Sequence, residues 1–292
     1  MSDAPTTDTT GEDLAASAET AAVSIISSGT PLRCLTRLPT ALVDEARVTF
    51  DVDGISLAAV DPPNVSMIHL EAHAAGFESY QLCDEDASHT VGVNLDRLQS
   101  ALGFARMRGD GDPVSVDLFT DPDRLRVTVT RPDQGLQRRE EWFCLDPESI
   151  REKPNNPDLD LPCYADPDVA GFRDAVHAFG PDHAELRNDG QGGLVLSAGL
   201  DENQHDEGEQ RVIFPNSVWA DDEHELDEVA ASSLFSLDYL DSVSSALKKS
   251  RADRLTVNWG DEFPVRLAFE YEEWGYEGEF AIAPRIGSGD TA

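Results

Sequence analysis

His69, Glu71 and His73 come nearest to a metal site in type and spacing: they alternate in IHLEAH and so share one face of an expected strand. No fourth ligand lies nearby in the sequence, and an exposed polar strand face fits the same pattern. Gly190-Gln191-Gly192-Gly193 has the composition of a phosphate loop. No helix start follows it, and LVLSAGL downstream reads as a strand, so a hairpin turn is expected. Acid clusters such as Asp221-Asp222-Glu223 read as solvated surface, and no Ser, His and Asp spacing singles out a nucleophile. The chain therefore does not read as an enzyme, and no catalytic residue, metal or cofactor is expected. One basic stretch remains, SSALKKSRADRL (residues 244–255), with two of the three lysines, Lys248 and Lys249, followed by Arg251 and Arg254. It suits contact with nucleic-acid phosphates. It equally suits the C-terminal end of a helix, where each cation is favoured by ~0.3–1 kcal/mol.

That stretch stands out because the 292-residue chain carries 57 acids against 22 Lys and Arg, a net charge of −35. The acids are spread along the whole length, and all but three of the cations are Arg. An acidic surface with almost no Lys suggests adaptation to molar salt, where the Debye length falls to ~3 Å and carboxylate repulsion is screened. The alternative is an acidic protein that binds basic partners. On the first reading, net charge does not argue against DNA binding. Cys34, Cys83, Cys144 and Cys163 are scattered with no C-x-x-C, which fits a reduced interior. No apolar run approaches the ~18–20 residues of a membrane span, and no signal peptide is visible.

The elements that would position these residues are mostly short strands. VTFDV, ISL, VSVDL and LRVTV alternate with period two, and Asp53-Gly54 and Asp121-Pro122-Asp123 mark hairpin turns. Four short helices are expected around Leu32–Leu42, Leu95–Ala105, Phe172–Phe179 and Leu237–Leu247, with Pro39 distorting the end of the first. VGVNLDRLQSAL (91–102) and LFSLDYLDSVSSAL (234–247) share one pattern, and each is followed by a strand pair, which points to an internal duplication. The fold class is thus α+β. Two similar β-rich domains, 22–143 and 164–286, each with two short helices, are joined by an extended proline-bearing connector, 144–163. Residues 1–21, with five acids and no base, and 287–292 are expected to be flexible tails.

The order of motifs resembles the proliferating cell nuclear antigen (PCNA) clamps of archaea and eukaryotes. It is carried by LVDEARVTFDVDGISLAAVDPPNVSMIHLEAHAAGFESY (42–80), VGVNLDRL, LDPESIREKPNNPDLDL, FSLDYL, DEFPVRLAFEY and FAIAPRI. The resemblance covers about residues 23–286. It implies a ring of three subunits, helices lining the hole and sheets outside, that encircles duplex DNA and tethers polymerase and nucleases. Such a protein would be a processivity factor of replication and repair in a high-salt cytosol, associated with the nucleoid and with no membrane. The alternative is a clamp-fold paralogue that acts as a protein scaffold without sliding on DNA.

The resemblance also assigns residues. Cations on or beside the helices would face DNA phosphates without reading sequence: Arg33, Arg37, Arg97, Arg106, Arg108 and Arg173, then Lys248, Lys249 and Arg251. This lining is thin in charge, since Ser244 and Ser245 stand within the fourth helix. A pocket for PCNA-interacting peptides would be formed by Val60, Asn64, Val65, Ile150 and Pro264, with Ala281, Ala283, Pro284 and Ile286. Ala281 stands where many clamps place an aromatic. Subunits would meet through 136–143, with Leu136, Arg138, Glu140 and Trp142, and 210–218, with Arg211, Ile213 and Phe214. Implied partners are double-stranded DNA, further copies of the chain in a homotrimer, a clamp loader, DNA polymerase, flap endonuclease and DNA ligase.

Overall fold

The computed structural model describes residues 19–106, 111–152, 159, 161–180, 182–190, 193–198, 210–215, 218–220 and 231–285. The first half runs β1 (Val23–Ser28), α1 (Gly29–Arg37), β2 (Glu45–Asp51), β3 (Gly54–Val60), β4 (Ser66–His73), β5 (Ser79–Leu82), β6 (His89–Asn94), α2 (Leu95–Leu102), β7 (Pro113–Phe119), β8 (Arg124–Arg131) and β9 (Leu136–Phe143). The second half repeats that order: β10 (Cys163–Ala165), α3 (Val169–Val176), β11 (His183–Asn188), β12 (Leu194–Ala198), β13 (Gln210–Phe214), β14 (Val218–Ala220), β15 (Ser232–Ser236), α4 (Leu237–Ser250), β16 (Arg254–Trp259), β17 (Val265–Tyr271) and β18 (Tyr276–Ile282).

The duplication is therefore complete, down to the strand order. One sheet is β5-β1-β7-β8-β9 and another is β13-β12-β11-β15. The nine-stranded sheet between them is β14-β10-β16-β17-β18-β4-β3-β2-β6, in which the second-half counterpart of the first sheet meets the first-half counterpart of the last. The joint is an antiparallel ladder from Tyr276↔Ala72 to Ile282↔Ser66. Gly278 makes the close approach possible: a Cβ there would lie 2.4 Å from the His69 carbonyl oxygen. One apolar core runs beneath both halves and includes Ile68, Leu70, Phe235, Phe269 and Phe280.

Local chemistry sets the helix ends. Asn94 and Asp168 cap α2 and α3, accepting the Arg97 and Gly171 N–H groups at 2.8 and 2.7 Å. The α1 helix stops at Arg37 rather than reaching Leu42, because Pro39 opens a separate 3-10 turn, Pro39–Ala41. The α3 helix stops at Val176, leaving Phe179 beyond it. The α4 helix runs to Ser250, one turn past the expected Leu247, so Lys248 and Lys249 lie in its last turn. It ends on Arg251 in the left-handed region, φ 64°. Arg251→Gly removes that backbone strain and is expected to raise stability by ~0.5–1 kcal/mol, read from the denaturant midpoint.

The expected continuous edge 210–218 is two strands, because Pro215 ends β13 and cannot donate to a ladder. The connector is not wholly extended: Leu145 bridges to Gly92, and Pro147–Ser149 forms a 3-10 turn. Residues 153–158 and 160, the tail 1–18 and the closing 286–292 lie outside the described residues. Glu19, at the end of the expected tail, is ion-paired with Arg124. Among the described residues no helix is long and apolar enough to cross a membrane.

Candidate functional site: helix layer, outer groove and open edges

The four helices form one layer, with α1 against α2, α3 against α4, and α1 meeting α4 between the halves. At that last contact Arg37 donates to the Lys249 carbonyl at 3.0 Å; one turn earlier on α1, Arg33 donates to the Ala105 carbonyl, beyond α2, at 2.9 Å. Burial pushes the Cys34 thiol pKa up, while the nearby Arg37, Arg251 and Arg33 oppose that shift. Arg33, Arg37, Lys249 and Arg251 thus gather around one helix crossing. The other expected cations are placed differently. Arg97 lies over the Trp142 ring at 5.2 Å, near β9. Arg173 and Lys248 share Asp174 at 3.1 and 2.8 Å. Arg108 lies outside the described residues.

Arg106 is tied into a cluster, paired with Asp112 at 2.6 Å and Asp133 at 2.7 Å, and Asp112 also meets Arg131 at 3.6 Å. Hydrogen bonds from Arg106 hold the buried Asp112 carboxyl down at about 2, against the upward push of burial. A folded-state value below the unfolded one means the stabilisation is present above pH ~4 and is lost as pH falls toward 2. Asp112→Asn is expected to flatten that limb of the stability–pH curve by ~1–2 kcal/mol, measured by denaturant titration at pH 2 to 5.

The face of the nine-stranded sheet turned away from the main core carries residues expected to line an outer groove for partner peptides. Val60, Met67 and Ala281 form a small buried apolar cluster separate from the main core, aligned by the Val60↔Met67 and Met67↔Ala281 pairs. One row further, Ala283 donates its N–H to the Val65 carbonyl at 2.7 Å, and Pro264 precedes the Val265↔Ile282 pair. Val60 and Ala281 thus share one face, with Pro264 and Ala283 one row further, whereas Val65 packs against the main core. Asn64, at φ 61°, accepts a hydrogen bond from Arg151 at 2.6 Å, which ties the connector to this edge. Ile150 sits elsewhere: it packs over Gly92 on β6, with β2 between that strand and β3. Pro284 is half-buried just after Ala283, and Ile286 lies outside the described residues. Met67, Asp61 and Arg151 adjoin these residues and were missed by sequence reasoning. Met67 was legible as the opposite-face neighbour of the core residue Ile68; Arg151 and Asp61 act through contacts the sequence does not show.

Six strands end a sheet among the described residues, and β9 and β13, the expected subunit edges, are two of them. On β9, Trp142 is buried towards the helices, while Leu136 and Phe143 are 48 % and 66 % exposed. Arg138 pairs with Glu140 on the same face. On β13, Ile213 is 49 % exposed, Arg211 is exposed, and Phe214 is half-buried against Gly171 of α3. His69, Glu71 and His73 do lie on one face of β4, with His69–Glu71 at 3.7 Å and His73–Glu277 at 3.5 Å. Among the described residues no group of three or more His, Cys, Asp or Glu could hold a metal.

A duplicated two-domain fold with an inner helix layer and open strands at its ends defines the sliding-clamp class. Residues 28–141 match the family described as proliferating cell nuclear antigen, N-terminal domain. The chain is 34 % identical over 251 residues to a DNA polymerase sliding clamp of Natronomonas pharaonis, spanning 85 % of this chain and 92 % of that one. It is 33 % identical, with the same coverage, to the corresponding clamp of Halobacterium salinarum. A solved structure of Archaeoglobus fulgidus PCNA bound to the C-terminal region of FEN-1 superposes with a TM-score of 0.72 at 28 % identity, covering 91 % of this chain and 99 % of that one. PCNA of Thermococcus kodakaraensis shares the fold, with a TM-score of 0.74 at 19 % identity, 90 % coverage of this chain and 100 % of the other. The chain belongs to the PCNA family of DNA sliding clamps.

Proposed function

We propose that three copies of this chain close head to tail into a ring that encircles duplex DNA and tethers DNA polymerase, flap endonuclease and DNA ligase to it, after opening by a clamp loader. The observation that carries the ring is the internal joint. The β18–β4 ladder joins the two halves, and their counterparts by duplication, β9 and β13, each end a sheet instead of meeting a strand there. A β9 edge offered to the β13 of a second copy repeats a junction the chain already makes within itself, and a closed ring leaves neither edge bare. The four-residue turns before β9 and β18 align Glu140 with Phe280 and Arg138 with Gly278. The open edge is thus charged where the internal joint is apolar or bare, which suits a surface that must stay soluble until it pairs.

In such a ring the cations at the α1–α4 crossing face the hole and touch phosphates, and the ring is retained by topology more than by affinity. The outer groove takes the apolar anchors of partner peptides. Tethering raises the partner's effective concentration at its template, so it rebinds before diffusing away. The protein works in the cytosol beside the nucleoid and has no catalytic role of its own. A second reading, a clamp-fold scaffold that does not slide on DNA, draws support from the acids that engage Arg106, Arg173 and Lys248. Light scattering in high salt tests the ring: a species of three times the 31.8 kDa chain mass is expected, and a lone monomer contradicts it.

A further inference from the structure

One carboxylate organises the loop at the end of the outer groove. Asp61 is 2 % exposed, and its Oδ1 accepts the N–H groups of Val65 and Ser66, both at 2.8 Å. Its own N–H donates to the Ser66 carbonyl at 2.9 Å, and its carbonyl accepts the Asn64 N–H at 3.0 Å. The chain from Val60 to Ser66, which carries Asn64 in the left-handed region, is therefore shaped around this one side chain. The remaining oxygen, Oδ2, accepts the O–H of Tyr239, a residue 178 positions away in the first turn of α4. Burial, then the carboxylate itself, pushes the Tyr239 phenol up to about 12, so it stays a donor across the working pH range.

We propose that Tyr239 is a positioning residue for partner recognition: through Asp61 it holds the 61–66 loop in the shape that presents Asn64 and Val65 to a bound apolar-anchored peptide. The second half of the chain thereby controls a wall of the groove borne by the first. The inference rests on the reading of the outer groove as the peptide site. Its physical basis is preorganisation. With the O–H removed, Oδ2 is left buried without that donor, the loop loosens, and a peptide must order it on binding.

The test uses the full chain and, as probe, a fluorescent peptide with the sequence of the C-terminal region of the A. fulgidus FEN-1, titrated by anisotropy. Tyr239→Phe keeps the ring and removes only the donor. It is expected to weaken the peptide roughly five- to twentyfold and to speed hydrogen exchange at the Val65 and Ser66 amides. Asp61→Asn, which replaces the Oδ2 acceptor with a donor, is expected to shift both readings in the same direction. Tyr80→Phe is the control for general damage. Its O–H donates to the Gly54 carbonyl at 2.6 Å, at the opposite end of β3 from Val60, and its loss is expected to change neither reading. Wild-type affinity in Tyr239→Phe, with the probe bound normally by the unmodified chain, overturns the proposal and leaves the groove reading intact. Failure of the unmodified chain to bind the probe overturns the groove reading and the proposal with it.

Discussion

Ile213→Asp is expected to turn the three-copy ring into folded single chains at micromolar concentration. Ile213 stands half exposed on the outer face of β13, an open edge, so the folded subunit loses little when it becomes polar. In the proposed ring, the same side chain would be covered by the neighbour's β9, whose Phe143 is the most exposed large apolar residue among the described residues. Loss of that burial costs roughly 1.5–3 kcal/mol per seam, and an aspartate without a partner there adds the cost of desolvating a charge. Each copy enters two seams, so the penalty falls on all three junctions of a closed ring. Sizing with light scattering reads the outcome directly. A ring that survives the substitution would show that β13 is not where subunits meet.

Phe280→Ala is expected to lower stability by ~3–5 kcal/mol and to unfold both halves in one transition. Phe280 is fully buried at the internal joint, opposite Ile68 across the β18–β4 ladder and Leu267 across β17. Its ring lies 5.6 Å from Phe269, inside the core shared by the halves. A cavity here weakens the one sheet that spans the chain. Thermal and denaturant melts followed by far-ultraviolet circular dichroism are the measurement. Two separate transitions, with only one displaced by the substitution, would show that the halves fold independently despite the joint.

These two residues also mark what the sequence could carry. Phe280 stands in FAIAPRI, which carries the family resemblance, but Phe280, Ala281 and Ile282 are all buried, so period two alone does not mark it. The helix cores at Leu95, Phe172 and Leu240 do follow from their spacing. The duplication was visible in VGVNLDRLQSAL and LFSLDYLDSVSSAL because each half must build the same helix and hairpin. What stayed hidden depends on long-range pairing. Nothing local marks Gly278 as the point where β18 passes His69, or Tyr239 as the donor to Asp61. Within AVDPPNVSMI nothing local marks Asp61, whose partners lie 90 and 178 residues away, at Arg151 and Tyr239. The helix cations were legible as charges but not as pairs. Asp174 takes both Arg173 and Lys248, and Asp133 joins Asp112 at Arg106, because neighbouring helices and loops bring acids to them.

Lys248 and Lys249 show the same limit. Both fall in the last turn of α4, where either favours the helix dipole. Lys248 is held by Asp174, whereas the Lys249 carbonyl receives Arg37 at the α1–α4 crossing. Of the two, Lys249 stands beside the gathered cations and, in the proposed ring, is the one that would meet a phosphate.

Primer extension on a circular primed single-stranded template, with the cognate loader and polymerase in high salt, tests the clamp function most directly. Adding the wild-type chain is expected to lengthen the products of a single binding event, and adding Ile213→Asp is expected not to. Product lengths unchanged by the wild-type chain, under conditions where it forms the ring and binds partner peptide, would contradict a sliding clamp and leave the scaffold reading.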